Sequence, residues 1–381
     1  MKIHECIIAG GGPAGLALAL LLKRAGMEAL VLERRPRPVK KACGGGLTPR
    51  ALKLLPELAL PLDIGQAFHT LEGNAPPRHV NRFTARLPVM AVNRRAIFQK
   101  SLEEAAERAG IQVLSAALTG AAHDGRVFSI STDRGDFSAR RLVGADGAES
   151  RVRRIFGGMV PFRAKAIMVD EMAGRLGPDR VIFDGGAAPL GYGWIFPYGD
   201  GHANCGVYTV GGLPPGGLRP YLARYLKDRL GAEIAGLRVT GGAIPFGGYS
   251  LASAAPVLLL GDAGGFADPM TGEGVYHALY TARAAAGAIL SGPPESSRAR
   301  YEKKLRIFSA NARFLAWLAP RAYRYPKRGG QLLSLKLLHG PITEGLIRGR
   351  NTASIAALYP YYLALSLFRP SLIEAKHLRC R

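Results

Sequence analysis

The stretch that decides the fold is Cys6-Ile7-Ile8-Ala9-Gly10-Gly11-Gly12-Pro13-Ala14-Gly15, followed by the apolar run Leu16-Ala17-Leu18-Ala19-Leu20-Leu21-Leu22. Glycines 10, 12 and 15 satisfy GxGxxG, with a strand expected before them and a helix after. A second strand, Ala29-Leu30-Val31-Leu32, ends on Glu33, 18 residues beyond Gly15. In such a βαβ unit the first glycine makes the tight turn, the second lets backbone approach a pyrophosphate, and the third lets helix and strand pack closely. The anion rests on the helix N-terminus, where Pro13 and Ala14 lie, because free N–H groups and the dipole favour negative charge. Glu33 is placed to accept from a ribose hydroxyl, with Arg34 beside it.

Further along, Arg95-Ala96-Ile97-Phe98 opens a helix expected over 95–109, with Gly110 as its C-cap. Strands are expected near 111–115, 127–132 and 141–145, all returning to the same sheet, and the last runs into Gly144-Ala145-Asp146-Gly147. From about 160 to 250 the pattern turns to short β-rich segments, broken by a helix near 217–230. Then Pro256 to Asp262 reads as a buried strand by its continuous apolar run, and a helix is expected over 274–290. The chain therefore divides into a dinucleotide-binding part (1–160), an inserted antiparallel or mixed β-sheet (161–250), the resumed first part (251–295) and a basic helical region (296–381). The expected class is α/β.

Charge is the outlier in composition. Fifty-one Lys and Arg against 28 Asp and Glu give +23 in 381 residues, which favours an anionic partner: nucleic acid, a membrane surface or a phosphorylated substrate. Residues 321–381 alone hold 11 basic and 2 acidic side chains between Leu- and Tyr-rich stretches such as Ala356–Leu365. No apolar run reaches the ~18 residues of a membrane span, so an attachment would be peripheral. Four scattered cysteines show neither disulfide nor metal-ligand spacing. Together with only two residues before the first strand, this leads us to expect a cytoplasmic protein, with the membrane's cytoplasmic face as a possible station. No nucleic-acid motif accompanies the charge, and no nucleic acid is expected as partner.

Taken together, Gly10 to Gly15 with Glu33, Gly144 to Gly147, and Gly261-Asp262 with Gly272-Glu273-Gly274 resemble the flavoprotein monooxygenase superfamily, over about residues 1–290. Within it, Cys43-Gly44-Gly45-Gly46-Leu47, Tyr192-Gly193-Trp194-Ile195-Phe196-Pro197 and the segment from Asp262 to Gly274 resemble the geranylgeranyl reductase family. The resemblance implies bound FAD, with Gly44, Gly45 and Cys43 against the flavin ring, Asp262 accepting from ribityl hydroxyls, Arg95 supporting the phosphate or ribityl side and Asp146 near the pyrophosphate. The helix beginning at Gly272 to Gly274 would point its N-terminus at the pyrimidine edge, where a reduced flavin is anionic. Tyr192, Trp194 and Phe196 share one face of a strand and would line an isoprenoid-lipid pocket.

The implied activity is reduction of C=C bonds in a polyprenyl or isoprenoid lipid. An isolated alkene needs an acid beside the hydride source, and Cys43, Tyr192 or bound water could supply the proton. One fingerprint and no second Rossmann unit leave the electron donor open: NAD(P)H, another reductant or a donor protein. Gln99 stands where the family often carries an acid after Phe98, and nothing past about residue 300 matches by motif. Two other activities are compatible with the same residues. Trp194 to Pro197 also resemble the WxIP-type segment of flavin halogenases, which leaves open an oxygen-using hydroxylase or halogenase. The other is a flavoprotein relaying electrons to a quinone or membrane partner.

Overall fold

The turn at Gly10 leaves the middle strand of a five-stranded parallel sheet. In the computed structural model, which describes residues 2–39, 41–58, 62–75, 79–173 and 179–324, the strands lie in the order Leu258–Leu259, Leu142–Gly144, Ile7–Ala9, Leu30–Glu33, Gln112–Ser115. Every neighbouring pair is parallel. The short runs Ile-Ile-Ala, Leu-Val-Leu and Leu-Val-Gly are buried throughout, as a sheet covered on both faces requires. Helices Pro13–Arg24 and Val275–Leu290 share its main core, where leucines 16, 18, 20 and 22 lie with Ala278, Ala282, Ala285 and Ile289. Helix Arg95–Arg108 adds Phe98 and Leu102 to the same core.

One expected strand goes elsewhere. Phe128–Thr132 joins a four-stranded sheet with Ile3–His4, Gly135–Ala139 and Leu118–His123. Its alternation explains why: Phe128 and Ile130 are buried while Ser129 and Ser131 are exposed, a pattern for a sheet with one wet face and not for a doubly covered strand.

The second large unit is a seven-stranded sheet in the order Val239–Phe246, Phe162–Ala173, His202–Thr209, Gly191–Pro197, Arg180–Gly185, Thr70–Ala75, His79–Thr84. Its neighbours are antiparallel except the pair Arg180–Gly185 and Thr70–Ala75, which is parallel. Two of these strands come from residues 70–84, far ahead of the segment 161–250. A three-stranded sheet of Gly46–Leu47, Met90–Val92 and Gln66–Phe68 lies in the connections.

The helix Ser297–Arg324 joins the two units. Tyr301 and Leu305 belong to the core around the parallel sheet, whereas Ala316 and Ala319 belong to the core of the seven-stranded sheet. Among the described residues no helix is long and apolar enough to cross a membrane. The stretch Ala356–Leu365 and the basic residues beyond Arg324 lie outside the described residues.

Candidate functional site

A cavity of about 1050 Å³ is lined both by the C-terminal ends of the parallel strands and by the inner face of the seven-stranded sheet. On the parallel-sheet side, three glycines of one motif do different work. Gly10 has φ +110°, and a side chain there would run into the Ala145 carbonyl; at Gly15 one would run into the Gly10 carbonyl. Both are required by the protein itself. Gly12 is different: a Cβ there meets nothing within 4 Å and would enter the cavity that Gly12, Pro13 and Ala14 line. Gly12 also caps the helix with no side-chain hydrogen bond, so the positive helix end faces the cavity unscreened.

Glu33 fastens this turn to the second strand. Its Oε2 accepts from Gly11 N at 2.7 Å and its Oε1 from Arg35 N at 2.8 Å, and since a carboxylate offers about four acceptor sites it keeps capacity toward the cavity it lines. Arg34 lies on the same rim. Arg95 is buried, and its Nη2 donates to Gln99 Oε1 at 2.8 Å, while Nη1 has no partner. Burial pulls this guanidinium below its ordinary range. Gln99 Nε2 in turn donates to Gly11 O at 2.8 Å and Glu103 Oε1 at 2.7 Å. An ionised acid at position 99 could take the bond from Arg95 but could not donate to Gly11 O, which gives the departure from the family's pattern a physical reason.

Asp146 Oδ2 accepts from Arg151 N at 2.6 Å and Val152 N at 3.1 Å, and its Oδ1 is buried without a partner. Asp262 pairs with Lys41 across the cavity wall. Gly272, with φ +69°, and Gly274, the N-cap of Val275–Leu290, also line the cavity. Of the residues singled out in the sequence, Gly15 and Gly261 do not line it. Gly261 instead turns the backbone at φ +50° and donates its N–H to Thr281 Oγ1 at 3.0 Å.

On the other side the strand Gly191–Pro197 is buried along its whole length. Tyr192, Trp194 and Phe196 face the cavity, while Ile195 joins a separate core behind the sheet and a Cβ on Gly193 would come within 2.7 Å of the Tyr225 ring. The Cys43 loop lies on these aromatics: a Cβ on Gly44 would be 3.2 Å from Trp194 Nε1 and 3.3 Å from the Phe196 ring. Gly45, at φ +80°, donates its N–H to Cys43 Sγ at 3.4 Å. Trp194 Nε1 donates to Asn204 Oδ1 at 2.8 Å, and Asn204 Nδ2 donates to Cys43 O at 3.3 Å. One amide thus ties the indole to the Cys43 backbone.

Three tyrosines, Tyr192 and Tyr208 buried and Tyr323 half-buried, hold the loop before Gly272. Tyr208 Oη donates to Pro269 O at 2.8 Å, Tyr323 Oη to Met270 O, and Tyr192 Oη to Thr271 O at 2.5 Å. Burial pushes all three phenols up. Below them, Arg50 pairs with Glu273 and lies 3.8 Å from Asp268, and burial pushes the Glu273 carboxyl up against the lowering pull of Arg50. Tyr208, Tyr323, Asn204 and Arg50 carry no sequence motif. Tyr208 lies on the β-rich run Cys205 to Val210, and the strand register of the structure places it directly opposite Tyr192.

Residues 4–173 match the model of an FAD binding domain. The chain is 30% identical over 326 residues to a menaquinone reductase of Mycolicibacterium smegmatis, covering 76% of each. It is likewise 30% identical over 312 residues to a digeranylgeranylglycerophospholipid reductase of Methanospirillum hungatei, covering 74% of each. The chain belongs to the geranylgeranyl reductase family. A solved geranylgeranyl bacteriochlorophyll reductase-like protein of Thermoplasma acidophilum shares the fold, with a TM-score of 0.75 and 21% identity over 98% of both chains. This member of the family is an FAD-dependent oxidoreductase, and its cavity fits the cofactor: open space at Gly12 suits a pyrophosphate, and the unpartnered Arg95 Nη1 suits an acceptor beside it.

Proposed function

We propose that this FAD-dependent oxidoreductase reduces C=C bonds in the isoprenoid chain of a lipid. The observation that carries the reading is continuity: a single cavity is lined by Gly10, Gly12, Pro13 and Ala14 and also by the apolar wall of Tyr192, Trp194, Phe196, Met168 and Phe183. A dinucleotide needs the first wall and an isoprenoid chain the second. Menaquinone, geranylgeranyl diphosphate and digeranylgeranyl phospholipids have such a chain in common, which supports an isoprenoid over any single headgroup.

In this reading Gly12 and the Pro13–Arg24 N-terminus receive the pyrophosphate, with Asp146 near it. Glu33 and Arg34 take the adenosine end. Asp262 takes the ribityl chain, Arg95 the phosphate or ribityl side, and the Gly272–Gly274 helix end the pyrimidine edge. When bound, reduced FAD would be the source of hydride for an alkene carbon, and the protein would have to deliver a proton to the other. Tyr192 already gives its hydroxyl hydrogen to Thr271 O, so we assign Tyr192 to holding the loop and proton delivery to Cys43, which lines the same cavity at the start of the glycine loop. Trp194 and Phe196 hold the isoprenoid chain and exclude water. The electrons come from NAD(P)H or another reductant, and the basic protein sits on an anionic membrane surface that holds its substrate.

The test is mass spectrometry of isoprenoid lipids incubated anaerobically with the dithionite-reduced holoenzyme. Product masses should rise in steps of two hydrogens. A product that forms only when oxygen is admitted would instead establish the hydroxylase or halogenase chemistry compatible with the Trp194 to Pro197 segment.

A further inference from the structure

The helix Ser297–Arg324 has two faces with different surroundings. Its inner face is buried through Tyr301, Leu305, Ala312, Leu315, Ala316 and Ala319, and near its end Ala322 and Tyr323 form part of the cavity wall. Its outer face carries Arg306, Ile307, Arg313, Phe314, Trp317 and Arg321, which recur at helical spacing and are all exposed. Ile307 is 72%, Phe314 45% and Trp317 54% exposed. The Phe314 and Trp317 rings stack with centroids 6.1 Å apart, and the Arg321 guanidinium lies 4.2 Å above the Trp317 ring. Single exposed apolar side chains need no explanation, whereas a row of them bounded by cations does. Eight Lys or Arg and one acid stand on this helix, and Arg306, Arg313 and Arg321 are in no ion pair among the described residues.

We propose that this outer face docks on an anionic lipid bilayer, with Ile307, Phe314 and Trp317 in the interfacial layer and the arginines on lipid phosphates. Helices that lie in the interface combine an aromatic and aliphatic stripe with flanking cations, and long basic side chains reach headgroups while their stems cover apolar surface. The unpaired positive charge selects an anionic surface over a neutral apolar partner. Because the same helix contributes Ala322 and Tyr323 to the cavity wall, docking by this face would hold the cavity beside the membrane. The inference rests on the reading that the substrate is a membrane lipid, and it places the contact on the described helix.

The full-length holoenzyme is mixed with phosphatidylcholine vesicles, with or without roughly one third anionic phosphatidylglycerol, and floated. Binding is expected only to the anionic vesicles. It should fall by about tenfold or more in Arg306→Gln/Arg313→Gln/Arg321→Gln, since each engaged cation is worth about fivefold, and fall again in Phe314→Ala/Trp317→Ala. The chain has two tryptophans, and Trp194 is buried. Lipids brominated along the acyl chain should therefore quench emission in the wild type, and the quenched component should vanish in Trp317→Phe. Wild-type flotation by both multiple variants, unquenched emission from vesicle-bound protein, or loss of a dimer in place of lost flotation would each overturn the proposal. Reduction of a detergent-dispersed isoprenoid is measured in parallel. If the variants lose vesicle binding yet no isoprenoid is reduced by any form, the docking face stands and the substrate reading falls.

Discussion

The two walls of the cavity are made of different materials. The wall at Gly10 to Gly15 is backbone: its shape depends on the absence of side chains, and what it offers a ligand is N–H groups and a helix end. The wall at Tyr192 to Phe196 is side chain: Phe183, Tyr192, Trp194, Phe196 and Tyr208 form a run of five aromatics with neighbouring ring centroids 5.0 to 6.2 Å apart, and the polar tips of Trp194, Tyr208 and Tyr192 are committed to Asn204, Pro269 and Thr271. A backbone wall fails all at once when a Cβ is added. A side-chain wall should fail by degrees, one contact at a time.

The largest effect expected from this contrast lies within the glycine motif. Gly15→Val and Gly10→Val place atoms on top of carbonyl oxygens and should leave little soluble protein. Gly12→Val fills open space, so that protein should fold and be colourless. Circular dichroism with flavin absorbance on all three separates fold from cofactor; a yellow Gly12→Val protein would end the assignment of this turn to the pyrophosphate.

Next comes Trp194→Ala. Removing a buried indole costs about 3–5 kcal/mol and frees Asn204 from its place beneath Cys43, so thermal stability should drop and turnover should drop further, with FAD retained. Cys43→Ser and Cys43→Ala are the companion measurement. At equal flavin occupancy both should lower kcat, and an unchanged kcat in both would remove Cys43 from the chemistry.

Smaller still are Tyr208→Phe and Tyr323→Phe. Each removes one hydroxyl from a loop carbonyl, at about 1–2 kcal/mol apiece. The phenols are held above their ordinary value of 10 by burial. Unfolded tyrosines therefore ionise first, and the stability of the native protein is complete below pH 10 and falls as pH rises above it. Alkaline unfolding curves for the two variants should be shallower than that of the wild type.

The same contrast explains how much was legible in the chain. A backbone wall announces itself, because the glycines at 10, 12 and 15 must stand at fixed spacing and Glu33 must follow the next strand. The alternation Tyr192-Trp194-Phe196 placed three aromatics on one face for the same reason of local geometry. What assembles from distant segments left no local signal. Tyr323 reaches Met270 from a helix 53 residues on, strands 70–75 and 79–84 enter a sheet whose other members begin at Phe162, and Gln99 takes its meaning only from Gly11 and Arg95. Phe128–Thr132 does leave a local signal, since its period-2 burial differs from the continuous apolar runs of the parallel strands and marks it for a sheet with one wet face.

The smallest effect concerns an imidazole buried in the backbone-built half. His277, on the helix that starts at Gly274, is 6% exposed and packs against Tyr276 and Phe308 with ring centroids at 5.1 and 5.4 Å. Its Nδ1 has no partner. Burial holds it well below the usual 6.5, and Arg50 pushes the same way. The native protein therefore stays unprotonated where the unfolded chain takes up a proton. The stability this provides is present above about pH 6.5 and is lost as pH falls, by up to about 1.4 kcal/mol per unit until the folded value is reached. Glu273 works in the opposite sense, since its carboxyl is held up by burial and binds a proton more readily in the native state as the unfolded value of 4.5 is approached. The wild-type profile sums both, and the difference from His277→Leu isolates the imidazole. Denaturant unfolding between pH 8 and 5 should give a flatter curve for the variant, the gap opening as acid is added below about 6.5. Parallel curves would mean that the ring protonates freely in the native state, and that the half of the molecule built from backbone is less closed around its helix than the burial of His277 requires.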